Sequence, residues 1–309
     1  MNKPLITVCL ITYNHAKYIA QAIESVLMQE TEYAWELVIA DDFSTDGTRE
    51  ILRAYQLNFP DKIKLILQEK NVGANKNWVD LLSYPNSKYT AYFEGDDYWV
   101  DKHKLQKQVE FLEENENYGL VHTNYQRLIE WNNSFEDLKV KRPNSDDIFE
   151  HLLCKVNLIG TVTVCYRTTL FKKYLTDIDP INKTWKLGDL PFWIYIAKQT
   201  KIKYLHKVSA VYRILNESAS RSIDSKKLID FEKSTLEIKK YFAQLHHKYL
   251  IPEIETEYDY KILRIMQENA FSKMDYFLKY RKFIFKNKNF LRTVKSSYWL
   301  FNKLIFNGK

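Results

Sequence analysis

Three carboxylates fall within four residues at Glu94-Gly95-Asp96-Asp97, with a glycine placed for a tight turn. Like charges held that close repel one another unless a cation or hydrogen-bond donors compensate them. A hard divalent cation, Mn²⁺ or Mg²⁺, would do so, because such ions take oxygen ligands and bridge protein carboxylates to a substrate phosphate. Glu94, Asp96 and Asp97 are therefore the metal candidates; the alternative is a solvated acidic loop. Asp41-Asp42 is a second acidic pair. One member reads as a cap for the turn at Ser44-Thr45, the other as a carboxylate that accepts from a base N–H. Thr12, Tyr13 and Asn14 complete the nucleotide-side candidates. Tyr13 could stack on the base, although most of the 22 tyrosines in the chain must be structural, and Asn14 reads equally as a turn residue. Lys76 is either a phosphate contact or part of a solvated helix face. Asp189, ahead of Leu190-Pro191, is either a helix cap or a general base positioned to take a proton from a hydroxyl.

Stepping from those residues to what carries them, each acidic cluster in the first 100 residues follows a short apolar run. Leu5 to Thr12 is continuous and β-branched, and predicts a strand buried on both faces. Glu36 to Ala40, Ile63 to Leu67 and Tyr89 to Phe93 predict three more strands. Between them, Ala16 to Met28, Arg49 to Tyr55 and Asn75 to Leu82 carry apolar residues at helical spacing. Strand and helix alternating in this way predict an α/β domain, a mostly parallel sheet with helices on both faces. Ligands of such sheets bind beyond the carboxyl ends of the strands, where Asp41-Asp42 and Glu94 to Asp97 fall. Farther on, Leu120 to Thr123, Thr161 to Tyr166 and Tyr204 to Arg213 read as extended, Leu187 to Lys198 as a helix, and everything from about Lys226 as helical. The division expected is a catalytic domain over 1–220 and a helical extension over 221–309.

Composition excludes several classes. Only 7 glycines occur in 309 residues, and no P-loop, GxGxxG, GxSxG or HExxH pattern is present. Cys9, Cys154 and Cys165 are odd in number and unpaired by spacing, which argues for a reducing compartment. With no signal-peptide pattern and no apolar run of roughly 18 residues, the expected location is cytoplasmic, at the inner face of the membrane if the tail associates with it. Net charge is +7, but residues 273–309 hold ten Lys/Arg against Asp275 alone, so the tail carries +9 and the rest −2.

At the quoted residues the sequence resembles the family 2 glycosyltransferases of the GT-A fold, over roughly residues 5–220. The matching segments are VCLITYN from Val8 to Asn14, LVIADDFSTDGT from Leu37 to Thr48, Asn71-Val72-Gly73, FEGDDYW from Phe93 to Trp99, GDLPFW from Gly188 to Trp193, and Val211-Tyr212-Arg213. The resemblance implies that Tyr13 stacks on the base, that Asp42 recognises it with Asp41 assisting, and that Asp96 and Asp97 hold ribose and the diphosphate-bound metal. Glu94 stands where that motif commonly has Asp, and Asp189 matches the family's general base. It further implies an inverting transfer of a sugar from a nucleoside-diphosphate donor, UDP being the common carrier, to a glycan or lipid-linked acceptor in surface polysaccharide synthesis. Many family members carry a His two residues after the Tyr-Arg pair; here that position is Leu215.

The extension lies outside the resemblance. Phe277, Tyr280, Phe283, Ile284, Phe290, Leu291, Trp299, Leu300, Leu304 and Ile305 interleave with its basic residues. Basic amphipathic helices with aromatic anchors lie on anionic membranes; a helical cap packed on a core is the other reading, and nucleic acid is not an expected partner. Two further alternatives remain for the whole chain. A sugar nucleotidyltransferase needs a glycine-rich phosphate loop, and residues 11–18 have no glycine. A non-catalytic carbohydrate- or membrane-binding module has no use for Asp96, Asp97 and Asp189 together.

Overall fold

The computed structural model describes residues 3–137, 142–215, 224–269 and 273–286. The chain divides into two compact units, Met1–Ser218 and Ala219–Lys309. The first begins with β1 (Ile6–Thr12), α1 (Ile19–Leu27), β2 (Trp35–Asp41), α2 (Thr48–Asn58), β3 (Ile63–Leu67), α3 (Ala74–Ser83) and β4 (Tyr89–Glu94). It continues with β5 (Tyr98–Trp99), α4 (Lys104–Glu114), β6 (Tyr118–Ile129), β7 (Ser134–Asp137), α5 (Phe149–Cys154), β8 (Val164–Arg167), α6 (Thr168–Ile178), α7 (Asp189–Gln199) and β9 (Lys201–Ile214).

Strands β3-β2-β1-β4 lie side by side and parallel, as the alternating pattern predicts. The chain winds outward from β1 to β3, then crosses back to place β4 on the other side of β1. That reversal is a topological switch point, where the crossover loops part and leave a crevice. Register brings the chemistry to it: Thr12 stands opposite Asp41, and Ile11 opposite Glu94. β1 is buried on both faces, with Ile6, Val8 and Leu10 fully enclosed. The helix stripe of Ile19, Ala22, Ile23 and Val26 packs into the same core; burying each such branched side chain stabilises the fold by about 1.5–3 kcal/mol.

Beyond β4 the sheet is mixed rather than mostly parallel, running β4-β8-β6-β9-β5 with β7 on β6. β8 is antiparallel to both β4 and β6, β9 is parallel to β6, and β5 is antiparallel to β9. The extended segment expected at Thr161 to Tyr166 starts as a 3₁₀ turn over Thr161–Thr163. Both the N–H and the Oγ1 of Thr163 bond to the Gly160 carbonyl, at 2.9 and 2.6 Å, which curls the chain before β8 begins. The three cysteines are buried and none is in a disulfide.

The second unit contains α8 (Ser225–His246), α9 (Ile251–Glu268) and α10 (Lys273–Lys286). α8 and α9 are tied by Lys240–Glu255 and Lys261–Glu232, and α10 to α9 by Lys279–Asp259. Tyr276 and Phe283 of α10 pack with Leu263 of α9, so this part of the basic-aromatic stripe turns inward. Phe290, Leu291, Trp299, Leu300, Leu304 and Ile305 lie outside the described residues, as do the side chains of Phe277 and Ile284. Among the described residues no helix is long and apolar enough to cross a membrane.

Candidate active site

The two Asp-Asp pairs at strand ends differ in what surrounds them. Asp41 is fully buried, accepts from the Ser44 N–H at 3.1 Å and from the Ser44 hydroxyl, and pairs with Arg49 at 3.1 Å. Asp42, the first residue past β2, is held by a different turn. Its Oδ1 and Oδ2 accept the N–H groups of Val72 at 2.7 Å and Gly73 at 3.0 Å, and it is 3% exposed. Both carboxylates of the pair are engaged by protein donors. Asp41 clamps the β2–α2 turn and Asp42 the β3–α3 turn, because backbone donors lie within reach of each. Asn14 is likewise engaged: in the left-handed region at φ 53°, its Oδ1 accepts from the Thr45 N–H at 2.9 Å, the turn-residue role. Tyr13 is exposed beside it, at 47%.

The Glu94–Asp97 turn is built differently. Gly95 hangs from β1 through its N–H to the Ile11 carbonyl at 2.8 Å. A side chain there would begin 2.9 Å from Thr12 Oγ1 and 3.0 Å from His15 Nδ1, which explains the glycine. Arg213, at the end of β9, straps the turn: its N–H donates to Asp97 Oδ1 at 2.7 Å and its Nε to the Asp96 carbonyl at 2.7 Å. The rest of its guanidinium bonds Glu130 and Gln21, so each of its three nitrogens has a partner. Around this turn four buried atoms lack a hydrogen-bond partner in the protein: Thr12 Oγ1, His15 Nδ1, Glu94 Oε2 and Asp97 Oδ2. Burial, then the charges of Asp96 and Asp189, hold the Glu94 carboxyl well above the usual carboxylate range. Burial, then Asp96 and Glu94, do the same to Asp97 against the opposing pull of Arg213.

Those orphaned oxygens and raised carboxyls fit a cation, which would supply what the protein donors do not. They do not make a complete cage. Among the described residues no three His, Cys, Asp or Glu side chains converge to hold an ion. The expected set of Glu94, Asp96 and Asp97 is thus an incomplete one, suited to an ion that takes remaining ligands from a phosphate and water.

Asp189 is brought to the same place from 95 residues away, close enough for its charge to act on Glu94. Gly188 is the helix cap and Asp189 the first residue inside α7. Its Oδ2 accepts from Thr161 Oγ1 at 3.4 Å, and burial raises its pKa against the hydrogen bonds that lower it. Lys76, one turn into α3, pairs with Asp80. Arg213, His15 and Thr161 escape sequence reasoning. Arg213 at least stood inside a matched segment, while His15 and Thr161 gave no spacing signal.

Fold and site place the chain among α/β proteins that hold ligands over the carboxyl ends of parallel strands, at an acidic turn. Residues 7–176 match the family described as Glycosyl transferase family 2, and the chain belongs to it. It is 32% identical over 219 residues to the "Putative teichuronic acid biosynthesis glycosyltransferase TuaG" of Bacillus subtilis, covering 71% of this chain and 82% of that one. It is 29% identical over 223 residues to the "UDP-Glc:alpha-D-GlcNAc-diphosphoundecaprenol beta-1,3-glucosyltransferase WfgD" of Escherichia coli, covering 71% and 81%. Mycobacterial relatives at 43% identity match over 103 residues, 33% of this chain and 30% of their own length. Among solved structures, S. aureus TarS 1-349 in complex with UDP-GlcNAc has the same fold, at TM-score 0.58 and 18% identity over 96% of this chain and 91% of that one. The mannosyltransferase PcManGT from Pyrobaculum calidifontis, in complex with GDP-Man and Mn²⁺, gives TM-score 0.55 at 17% identity over 100% and 89%.

Proposed function

We propose that this chain is an inverting glycosyltransferase. It moves a sugar from a nucleoside-diphosphate donor, UDP-linked, to a hydroxyl of a glycan or lipid-linked acceptor in surface polysaccharide synthesis. The observation that carries this reading is the meeting of Asp189 with the Glu94–Asp97 turn at the switch point of the sheet. The names of TuaG and WfgD support the pathway and the acceptor class, and the UDP-GlcNAc bound to TarS supports the carrier.

In this reading Asp189 is the general base. The acceptor oxygen bonds to the anomeric carbon, its proton passes to Asp189, and the bond from that carbon to the diphosphate breaks. Asp189 begins α7, so the N-terminal helix dipole favours its ionised form while burial opposes it. The Glu94, Asp96 and Asp97 oxygens would hold a divalent cation, Mn²⁺ or Mg²⁺, which offsets charge on the departing diphosphate. Tyr13, exposed at the rim, stacks on the base. Asp42 acts by fixing Val72 and Gly73, and Thr12 lies under the turn. Asn14, Asp41 and Lys76 take supporting parts at the donor's edge. The basic stretch 273–309 would bring the enzyme to an anionic membrane on the cytoplasmic face, where a lipid-linked acceptor resides.

The test is Asp189→Asn with donor and acceptor present. Transfer should fall roughly 10²–10⁴-fold, the usual share of a general base, while thermal stabilisation by UDP and Mn²⁺ persists. Undiminished transfer sinks the assignment.

A further inference from the structure

The groups that bond the Asp189 carboxylate come from two places. Burial raises its pKa, and the hydrogen bonds that oppose burial come from the Leu190 amide, Thr161, its own amide and the Trp193 indole, although Trp193 Nε1 makes no bond of ordinary geometry. Leu190, Asp189 itself and Trp193 all belong to α7 and travel with it. Among the described residues Thr161 alone donates to the carboxylate from another element, through Oγ1 to Oδ2 at 3.4 Å. We propose that Thr161 is a positioning residue for the reaction: its hydroxyl ties the carboxylate on α7 to the sheet and fixes its rotation toward the acceptor. The proposal rests on the reading of Asp189 as the base.

Thr161 is well placed for that part because its own turn is held from several sides. It opens the 3₁₀ turn Thr161–Thr163. Trp99 Nε1 donates to the Val162 carbonyl at 2.9 Å, and Gln108 Nε2, from α4, to the Thr163 carbonyl at 2.8 Å. Trp99, Gln108 and Val162 are all buried, so water does not compete for these bonds. Trp99 stands in β5, just past Asp97. A continuous path of bonds therefore runs from the acidic turn through Trp99, Val162 and Thr161 to Asp189. It lets a base on a distant helix keep its register with the turn that faces the diphosphate.

The stakes of that register are large. A general base works only when its oxygen comes within about 2.6–3.2 Å of the hydroxyl it deprotonates, and a misplacement of about 1 Å can cost about 10²-fold in rate. The amides of α7 hold the root of the carboxylate, but they cannot correct a shift of the whole helix. Thr161 can, because it is fixed to the sheet. Its bond is long, as catalytic hydrogen bonds are before the substrates bind, and it tightens as they do.

UDP release from UDP-glucose and from UDP-N-acetylglucosamine, with Mn²⁺ present and water as the acceptor, tests this on the full chain. Thr161→Val keeps the shape of the side chain and removes the donor. Its kcat should fall roughly 10–10²-fold while KM for the sugar nucleotide stays within about twofold. Thr161→Ser, which restores the hydroxyl, should recover most of the rate. In the Asp189→Asn background Thr161→Val should cost nothing further, because residues that act as a unit are not additive. An unchanged kcat in Thr161→Val, no recovery in Thr161→Ser, or a full further loss on top of Asp189→Asn each overturns the proposal. A second measurement decides the matter should neither sugar nucleotide be turned over. Three-bond methyl couplings of Thr161, read by NMR, should show one side-chain rotamer in the wild type and averaging in Asp189→Ala; the same couplings in both proteins overturn the proposal. A silent Thr161→Val beside an inactive Asp189→Asn removes this inference alone, whereas Asp189→Asn at the wild-type rate removes the base reading beneath it.

Discussion

The ends of β2 and β4 both carry Asp-Asp, and the chain treats them in opposite ways. At β2 every carboxylate oxygen meets a protein donor: Ser44 and Arg49 for Asp41, the Val72 and Gly73 amides for Asp42. At β4 the fold supplies one backbone N–H to Asp97 and leaves its other oxygen, and one of Glu94, buried and unpartnered. The same pair of residues is fully engaged by the protein just at the end of β2 and left with orphaned oxygens in the turn beyond β4. What separates them is whether neighbouring turns aim their amides inward.

The contrast breaks most sharply on activity. Asp97→Asn should lower transfer about 10²–10³-fold, the scale of losing one charge-stabilising group at a reaction centre, with little loss of stability. Asp42→Ala should do the reverse in kind. It strands two amides, costing about 1–3 kcal/mol of stability, read as a lowered midpoint in urea unfolding. If Asp97→Asn proves the less stable variant, the distinction between the two pairs is wrong. Gly95→Ala forces a Cβ to within 2.9–3.0 Å of Thr12, His15 and Ile19 and should cost about 1–3 kcal/mol, whereas Gly73→Ala meets no neighbour within 4 Å and should show only the strain of its φ of 86°.

pH sharpens the same comparison. The folded values of Glu94, Asp97 and Asp189 are raised. Their contribution to stability is therefore full below the unfolded carboxylate range and is lost as pH rises through the folded values. The melting temperature of Asp97→Asn relative to wild type, without cation, should climb from acid to neutral pH; a flat difference counts against a strained turn. In the proposed mechanism Asp189 acts ionised, so the acid limb of the transfer rate should sit above the ordinary Asp range. A further effect lies outside the acidic turn, where Lys104 sits over the Trp99 ring. Lys104 is buried, bonds Gln108 at 2.7 Å, and burial depresses its pKa to about 7. The unfolded chain keeps that proton to higher pH, so wild-type stability relative to Lys104→Met should rise between about pH 7 and 10.

Much of this was legible in the residues alone. β1, β2 and β4 declare themselves because strands buried along most of their length are short and largely apolar; β3, a partly buried edge strand, shows as a short apolar run, and the predicted bounds of all four differ from the observed ones by a residue or so. The second half of the sheet is harder. β6 and β9 are long and half-exposed, and their pairing is bulged near Asn124. α5 is six residues long, too short to show a period. Within the site, residue type pointed to the acidic turn and the family resemblance to Asp189, but neither pointed to what engages Asp41 and Asp42. That depends on where the amides of Val72 and Gly73 arrive, 30 and 31 residues onward. Arg213 is the same case at longer range: its bond to Asp97 spans 116 residues, and no local pattern encodes it.

That strap also sets an order of assembly on the ribosome. The parallel strands and the Glu94–Asp97 turn emerge early, and domains synthesised N-terminus first begin to organise as they appear. Arg213 and Asp189 come out roughly a hundred residues later, so the nascent chain must carry its crowded acids untethered until β9 threads in beside β5 and β6. A ribosome-stalled product ending before Lys201 should own a nearly complete parallel half and no strap across its acidic turn, which makes the last strand of the first unit the step that completes the site.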